Sequence, residues 1–401
     1  MLSMKRIKDL KGKRVIIRID ANVPIEKGKV VDNERIIAHK ETLVYLIKHK
    51  AKIIIIAHVG RPGGKVVKKY AMDPVIKEIE RVLRKKVQKI ETKNWKWSKK
   101  REEEVIAQTH ALKPGQIAMC DNVRFAKEEK KNGGTLAKTM ASLGDLFVFD
   151  GFAVAHRPAA SVIGISKYLP SYTGFLMQKE IKGLEKVVKK PSHPLVIALG
   201  GVKMKTKVEV IKNFIKDADS ILIGGGLANT YFGAKGYGIG NSRIDKEMEQ
   251  EIMKYGKKNN VFMPIDVIVG DKNGKAYSVV DIKKKPHLIC NKQQAIFDIG
   301  PKTLMAYIKH IEKAKTVIWN GAMGYFEQSP YHIGTMAIAE SIARASKKRT
   351  YTIIGGGETL QAATIANIKK DINLVSTGGG AMISFLSGSV LPAIEALQKK
   401  K

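Results

Sequence analysis

At 401 residues with 44% hydrophobic content, the chain is too long for one ordinary domain and apolar enough to fill the cores of two. Its two distant cysteines, Cys120 and Cys290, and its lack of any CxxC exclude a disulfide scaffold and a cysteine metal site, the opening MLSMKRIKDLKGKR lacks the apolar stretch of a signal peptide, and no run nears the ~20 apolar residues of a membrane span, so a cytoplasmic protein without a membrane partner is expected. The net charge of +35, from 72 Lys and Arg against 37 Asp and Glu, fits a nucleic-acid patch, a basic cleft for an anionic substrate or a general lysine enrichment, and identifies no function by itself.

Residues 13–19 (KRVIIRI) read as a short buried strand that ends in Asp20-Ala21-Asn22-Val23-Pro24. Arg35–Lys50 has helical spacing, with Arg35 at its start. Ala51–Ala57 is a β-branched run typical of a central parallel strand, and His58-Val59-Gly60-Arg61-Pro62 follows it directly. A helix is predicted near Pro74–Arg84 and a strand at Val87–Ile90, followed by the basic, aromatic segment Trp95–Arg101 (WKWSKKR). Ile117–Cys120 is a strand ending in Asp121-Asn122-Val123-Arg124-Phe125; Thr135–Leu143 is a helix; Leu146–Phe149 is a strand ending in Asp150, with His156 and Arg157 shortly after. Alternating strands and helices imply a parallel sheet whose ligand site lies at the C-terminal strand ends. Those ends carry Asp20, Asn22, His58, Arg61, Asn122, Arg124, His156 and Arg157, and Arg35 can join them. Any one of these is ordinarily a surface or capping residue. Arginine or histidine after successive strand ends suits bidentate binding of a carboxylate and a phosphate.

Pro170–Lys190 reads as a long helix joining the halves, with a stripe of Phe175, Leu176, Ile181, Leu184 and Val188, and Pro191-Ser192-His193-Pro194 breaks the chain after it. In the second half glycines replace the arginines. Leu195–Leu199 leads to Gly200-Gly201 and to Lys203 and Lys207, which share one helix face. Ile221–Ile223 leads to Gly224-Gly225-Gly226, Val261–Val269 is a strand, and Thr316–Ile318 leads to Asn320 and Gly321, with Glu327 beyond. Thr350–Ile365 (TYTIIGGGETLQAATI) and Leu374–Ile383 (LVSTGGGAMI) repeat the strand, glycine turn and helix start. Each such turn is an expected anion site, because free N–H groups and the helix dipole favour phosphate there. The Walker A pattern is absent. Gly233, Gly236, Gly238 and Gly240 loosely match a dinucleotide fingerprint but do not follow a strand. The reading is α/β, with two doubly wound parallel-sheet (Rossmann-like) domains joined by a hinge helix. One domain offers arginines to a small anion; the other offers glycine amides, lysines and carboxylates to a nucleotide. Phosphoryl transfer with domain closure is the reaction class this suggests.

The segments RIDANVP, AHVGRP, DNVRF, AHRP, GFLMQKE, GGVK, IIGGGET and STGGGA occur in the order and approximate spacing found in phosphoglycerate kinases. The resemblance runs from about Val15 to Leu397 and looks more like the archaeal branch than the eukaryotic one. It implies reversible transfer of a phosphoryl group between 1,3-bisphosphoglycerate and MgADP, giving 3-phosphoglycerate and MgATP. It also implies an N-terminal glycerate-binding domain over 1–172 with 388–401 packing back on it, an interdomain helix over 173–190 and a nucleotide domain over 191–387. By motif, Asp20, Asn22, Arg35, His58, Arg61, Arg124 and Arg157 would bind the glycerate, with His156 near them. Arg35 would also stabilise the transferring group. Lys203 and Lys207 would meet nucleotide and transferred phosphates, Gly225 and Gly226 the adenine, Asn320 the phosphates and Glu327 the ribose. Gly356, Gly357 and Thr359 would hold phosphates, Gly379 and Gly380 would present amides to the transferring group, and Glu358 would ligate Mg²⁺. Glu358 stands where many members have Asp, Thr206 where an acid is common, and Ala21 where an aromatic is; Phe149 and Gly151 flank Asp150 in place of the usual Asn and Ala.

Two other classes share parts of the pattern. An NAD-dependent dehydrogenase would also use doubly wound sheets with glycine turns. A nucleic-acid-binding protein would use the charge and WKWSKKR, although no specific nucleic acid is expected. A monomer is expected, with a homodimer as the alternative.

Overall fold

The computed structural model describes residues 1–398 and separates into two compact units, one from Met1 to Lys182 with the segment from Val390, the other Gly183–Ser389. The first unit contains β1 (Arg14–Arg18), β2 (Ile25–Glu26), β3 (Lys29–Val30), α1 (Glu34–Ala38), α2 (Lys40–Lys48), β4 (Lys52–Ile56), α3 (Asp73–Leu83), β5 (Val87–Ile90), α4 (Lys99–Ala111), β6 (Ile117–Cys120), α5 (Gly134–Ala141), β7 (Leu146–Phe149) and β8 (Ser171–Thr173). The unit boundary falls inside α6 (Phe175–Lys189). Six parallel strands form its sheet in the order β5-β6-β4-β1-β7-β8. Val15, Ile17, Ile53, Ile55 and Val148 belong to one core layer with Leu43, Leu46, Val75 and Ile79 of the helices. The near-continuous Ile and Val runs follow from burial of a parallel sheet on both faces.

Four expectations change here. The helix expected over Arg35–Lys50 is two helices, broken at the buried His39, whose ring bonds two loops instead of packing along the helix. Residues Ser171–Thr173, expected as the start of the long helix, form the edge strand β8, and α6 begins at Phe175. Its buried stripe is Met177, Ile181, Leu184 and Val187; Phe175, Leu176 and Val188 are half-buried. WKWSKKR ends in the N-cap of α4: Ser98 Oγ accepts from Arg101 N–H at 3.3 Å. Trp95 is buried, Trp97 stacks on it, and the Trp97 indole donates to Thr92 O at 3.0 Å, so both rings serve local packing.

The second unit contains β9 (Leu195–Leu199), α7 (Met204–Phe214), β10 (Ser220–Ile223), α8 (Gly225–Ala234), α9 (Glu249–Tyr255), β11 (Val261–Phe262), β12 (Asp266–Gly270), β13 (Tyr277–Asp281), β14 (Ala295–Ile299), α10 (Pro301–Lys313), β15 (Thr316–Asn320), α11 (Ile333–Lys347), β16 (Tyr351–Gly355), α12 (Gly357–Ile365), β17 (Leu374–Ser376) and α13 (Gly380–Leu386); α14 (Pro392–Gln398) returns to the first unit, where Ala393 N–H donates to Ala155 O. Its main sheet is parallel, in the order β11-β10-β9-β15-β16-β17. The strand expected over Val261–Val269 is two strands in different sheets. Pro264 cannot donate to a ladder, so β11 ends before it and β12 starts an antiparallel sheet ordered β13-β12-β14. The glycines of 233–240 pack loops: a Cβ on Gly238 would lie 2.1 Å from His287 O, and one on Gly240 2.3 Å from Asn291 O.

Candidate active site

In the first unit the chain leaves β1 on one side for β4 and leaves β7 on the other for β8, so the strand order reverses between β1 and β7. Open α/β sheets bind ligands at such a reversal. Asp20 follows β1 and is buried; its Oδ2 takes a 2.5 Å bond from Arg35 Nη1, and its Oδ1 accepts from Asn22 N–H at 3.2 Å. Asn22 Oδ1 in turn accepts from Gly60 N–H at 2.8 Å, which ties the loop after β1 to the loop after β4. Arg124 leaves β6 and donates to Gly60 O at 2.6 Å, while Asn122 donates to Val59 O and Tyr70 O. These bonds fix the loops; the guanidinium of Arg35 stays two-fifths exposed and Arg61 and Arg157 are exposed.

Arg35, Arg124 and Arg157 lie close enough to His58 for their charges to act on it. His58 is buried, and burial first, then the charges of Arg18, Arg124, Arg157 and Arg35, hold its imidazole well below the ordinary value. His58 Nδ1 faces Arg18 Nη2 at 3.0 Å, so the neutral ring accepts there and keeps Nε2–H as a donor. Burial, with Arg157 and Arg18 adding repulsion, pushes Arg124 down to about 10. His156 is lowered by burial and by Arg157. A dianionic ligand would relieve this repulsion, the expected signature of an anion site.

Sequence reasoning missed the groups beneath this edge. Arg18 is the last residue of β1 and is fully buried; it donates to Ser161 Oγ at 2.9 Å and to Ile19 O. Buried Glu129 accepts from the same Ser161, through N–H at 3.0 Å and Oγ at 2.6 Å, and balances Arg18. The one available signal was an arginine inside an apolar strand run; AKEEKKN around Glu129 carried none. His39 also escaped notice, since a histidine within an amphipathic helix looks ordinary, and Asp150 was read only as a strand end, without its bond to His39.

In the second unit the strand order reverses between β9 and β15. Beside that point lies a cleft of about 640 Å³, lined by Gly201, Gly225, Gly226, Glu327 and Glu358 with Ile296, Ala322, Met323 and Phe326. Its apolar wall and few polar groups suit a purine-sized ligand. Lys203 precedes α7 and is exposed; Lys207 lies one turn on and is buried. Burial lowers the Lys207 ammonium and Lys203 adds to this, while the Glu358 carboxylate opposes it, so these charges share one neighbourhood.

The four glycine turns are not alike. Gly200 N–H donates to Asn320 O, Gly201 N–H to Ala322 O, Gly225 N–H to Met323 O and Gly226 N–H to Gly201 O. Their amides hold the cleft together, contrary to the expectation that each turn presents amides to a ligand. By contrast the N-cap residues of α12 and α13, Gly356 and Gly379, have positive φ and provide no side-chain cap. Nothing lies within 4 Å of a Cβ built on Gly357 or Gly379, and Gly380 follows as the first residue of α13. Thr359 is buried, and its Oγ1 accepts from Gly321 N–H at 2.6 Å; the Asn320 amide donates to Gly355 O. Glu358 Oε2 would lie 2.1 Å from a Cβ on Gly201, whose φ is +74°. Among the described residues no cluster of three His, Cys, Asp or Glu side chains gathers to hold a metal. A lone carboxylate beside a helix start with no side-chain cap fits Mg²⁺ carried on nucleotide phosphates.

An arginine-lined strand edge in one doubly wound unit, and a lysine-flanked, purine-sized cleft in the other, fit a phosphotransferase acting on a small anion. The family profile "PGK: Phosphoglycerate kinase" matches residues 4–389. Curated phosphoglycerate kinases of Moorella thermoacetica and Chloroflexus aggregans are each 39% identical to the chain, over 98% and 99% of both partners respectively. The solved phosphoglycerate kinase of Coxiella burnetii superposes with TM-score 0.84 at 36% identity over 99% of each chain; that of Pyrococcus horikoshii does so with TM-score 0.84 at 30% identity, over 99% of this chain and 98% of its own. The chain belongs to the phosphoglycerate kinase family.

Proposed function

We propose that the two strand edges are the two halves of a phosphoglycerate kinase site, with the residue roles that follow. The activity itself is that of the family: a kinase with a carboxyl group as phosphoryl acceptor, moving a phosphoryl group reversibly between 1,3-bisphosphoglycerate and ADP in glycolysis. The observation that carries the assignment of the first unit, taken as residues 1–172 with 388–401, is the gathering of Arg35, Arg124 and Arg157 around the buried His58 at the strand ends, where burial and then their charges lower its imidazole. Arg61, Arg124 and Arg157 bind the phosphate and carboxylate of 3-phosphoglycerate; His58, His156 and Asn22 add hydrogen bonds, and Asp20 orients Arg35. One Arg35 nitrogen is held by Asp20, and a guanidinium has five N–H donors, so the rest can follow charge onto the transferring group.

The second unit, taken as residues 191–387, binds ATP or ADP. Gly225 and Gly226 flank the base, Glu327 meets the ribose, and Lys203 and Lys207 neutralise phosphates. Gly356 and Gly357 at the start of α12, with Gly379 and Gly380 at α13, present amides to phosphate oxygens. Thr359 and Asn320 act by holding this wall in shape. Glu358 ligates Mg²⁺, which supplies charge neutralisation on the nucleotide phosphates when bound. Transfer needs donor and acceptor oxygens in line and shielded from water, so hinge closure about α6 is part of the proposal. The leaving carboxylate is a weak base, so no general acid or base is assigned. Two buried, unpaired cysteines and the absence, among the described residues, of a helix long and apolar enough to cross a membrane support a cytoplasmic place.

The test is a coupled assay with 3-phosphoglycerate and MgATP on the purified protein and on Arg35→Ala. The variant is expected to lose about 10²-fold or more in kcat while nucleotide affinity stays within about twofold. Near-normal turnover would overturn the role of Arg35.

A further inference from the structure

The chain leaves the parallel ladder at Asp20. Ile19 N–H still donates to Ile56 O across the sheet, at 3.2 Å, but the Asp20 N–H has no strand to meet and lies in the interior. A buried amide needs an acceptor. His39 Nε2 supplies it at 3.0 Å, and the other ring nitrogen, Nδ1, faces Asp150 Oδ2 at 3.0 Å. Because Nε2 accepts, the ring proton sits on Nδ1 and is donated to Asp150. Asp150 is itself fixed: its Oδ1 accepts from Met177 N–H at 3.1 Å, and a Cβ on Gly174 would come within 2.2 Å of that oxygen. His39 is almost wholly buried and stands at the break between α1 and α2, four residues after Arg35. It therefore bridges the loops after β1 and β7, the two strands between which the order reverses.

We infer that His39 is a positioning residue for the phosphoryl transfer, acting through Asp20 on Arg35. The route is short and every link is a hydrogen bond: Asp150 orients the ring, the ring holds the Asp20 backbone, and the Asp20 carboxylate holds Arg35 Nη1 at 2.5 Å. The same carboxylate takes Asn22 N–H, and Asn22 takes Gly60 N–H, so His39 sets the height of Asp20 against the loop that bears His58 and Arg61. Without the imidazole, the Asp20 amide loses its acceptor and the Asp150 carboxylate loses a donor, both in the interior. The loop after β1 then has reason to move toward water, and Arg35 moves with it. Histidine suits this place because its two ring nitrogens serve opposite hydrogen-bonding roles about 2.2 Å apart on one rigid plane. The carboxamide of glutamine offers the same pair, an acceptor and a donor, on a flexible stem.

The inference rests on Arg35 acting on the transferring group, so the experiment varies both residues. His39→Ala, Arg35→Ala and the double variant are assayed with saturating 3-phosphoglycerate and MgATP. His39→Ala alone is expected to lower kcat about tenfold and to leave KM for MgATP within about twofold, the size expected when a buried hydrogen-bonded group is orphaned. In the Arg35→Ala background the same change should alter kcat by less than about twofold, because the residue through which it acts is gone. His39→Gln should recover at least half of the lost kcat on a logarithmic scale. An equal tenfold loss in both backgrounds would overturn the inference and leave the Arg35 role standing. Near-normal turnover in Arg35→Ala would overturn that role, and with it the route assigned to His39. Should His39→Ala fail to fold, His39→Gln carries the same cycle, and a loss that persists undiminished in the Arg35→Ala background overturns the inference equally.

Discussion

Acidification is expected to weaken the first unit through His58. Burial and then Arg18, Arg124, Arg157 and Arg35 depress the native imidazole well below its ordinary value, whereas in the unfolded chain it titrates near about 6.5. Below that point the unfolded chain takes up a proton that the native state refuses, so stability falls as pH falls. The contribution is present above the unfolded value and is lost on the way down to the native one. Within that window it amounts to about 1.4 kcal/mol per pH unit, and going from about pH 8 to about pH 5.5 it sums to about 1.4 kcal/mol. His156 is lowered by burial and Arg157 and acts in the same direction, so the measurement must be a difference. His58→Asn keeps an acceptor near the position of Nδ1, which faces Arg18, and cannot titrate. Trp95 and Trp97 lie in the same unit as His58, and Trp319 in the other. Urea unfolding followed by tryptophan fluorescence in a Trp319→Phe background therefore reports on the right part of the chain. The stability gap between the protein and its His58→Asn variant should shift by about 1.4 kcal/mol in favour of the variant between about pH 8 and about pH 5.5. Parallel pH curves for the two would refute the reasoning.

Two further outcomes follow from the nucleotide cleft. Gly201→Ala places a Cβ at a φ of +74° and 2.1 Å from Glu358 Oε2, so the carboxylate must swing away; KM for MgATP is expected to rise about tenfold in steady-state assays while that for 3-phosphoglycerate stays within about twofold. Glu358→Gln keeps the shape and removes the charge, so the Mg²⁺ concentration for half-maximal rate should rise about tenfold at fixed nucleotide, and an unchanged Mg²⁺ titration would exclude Glu358 as a ligand.

What could be read in advance was whatever the chain repeats. Runs such as KIIII of β4 and LVIAL of β9 are buried on both faces, and that alone marks parallel strands. The polar residues after such runs fall on one edge for the same reason, so Asp20, His58, Arg124 and Arg157 could be gathered without a structure. What escaped depended on pairs distant in sequence. Glu129 matters only because Ser161 and Arg18 reach it, and His39 only because β1 and β7 are neighbours. The antiparallel sheet of β12–β14 was hidden for another reason. Its residues between β11 and β12 keep an apolar character through Pro264, so two strands of different sheets read as one.

The glycine turns show why one motif can be legible while its role is not. Where β9 and β15 adjoin, their loops cross at backbone distance: a Cβ on Gly200 would lie 2.0 Å from Ala322 O, and one on Gly321 2.2 Å from Gly200 O. Side chains are excluded there by the neighbouring main chain, whether or not a ligand is present. The amides of Gly200, Gly201, Gly225 and Gly226 are already given to carbonyls, so this region can supply a rigid floor and shape but little charge. Gly357 and Gly379 stand in open space at uncapped helix starts, and there the absence of a side chain admits something from outside the chain. The proposed phosphate contacts therefore fall to α12, α13 and the two lysines of the α7 turn. The glycines at the β9–β15 reversal keep that wall at a fixed distance from the base-sized cleft, and under the proposed roles this division would let a transferring phosphoryl group meet preorganised charge without the floor beneath it having to move.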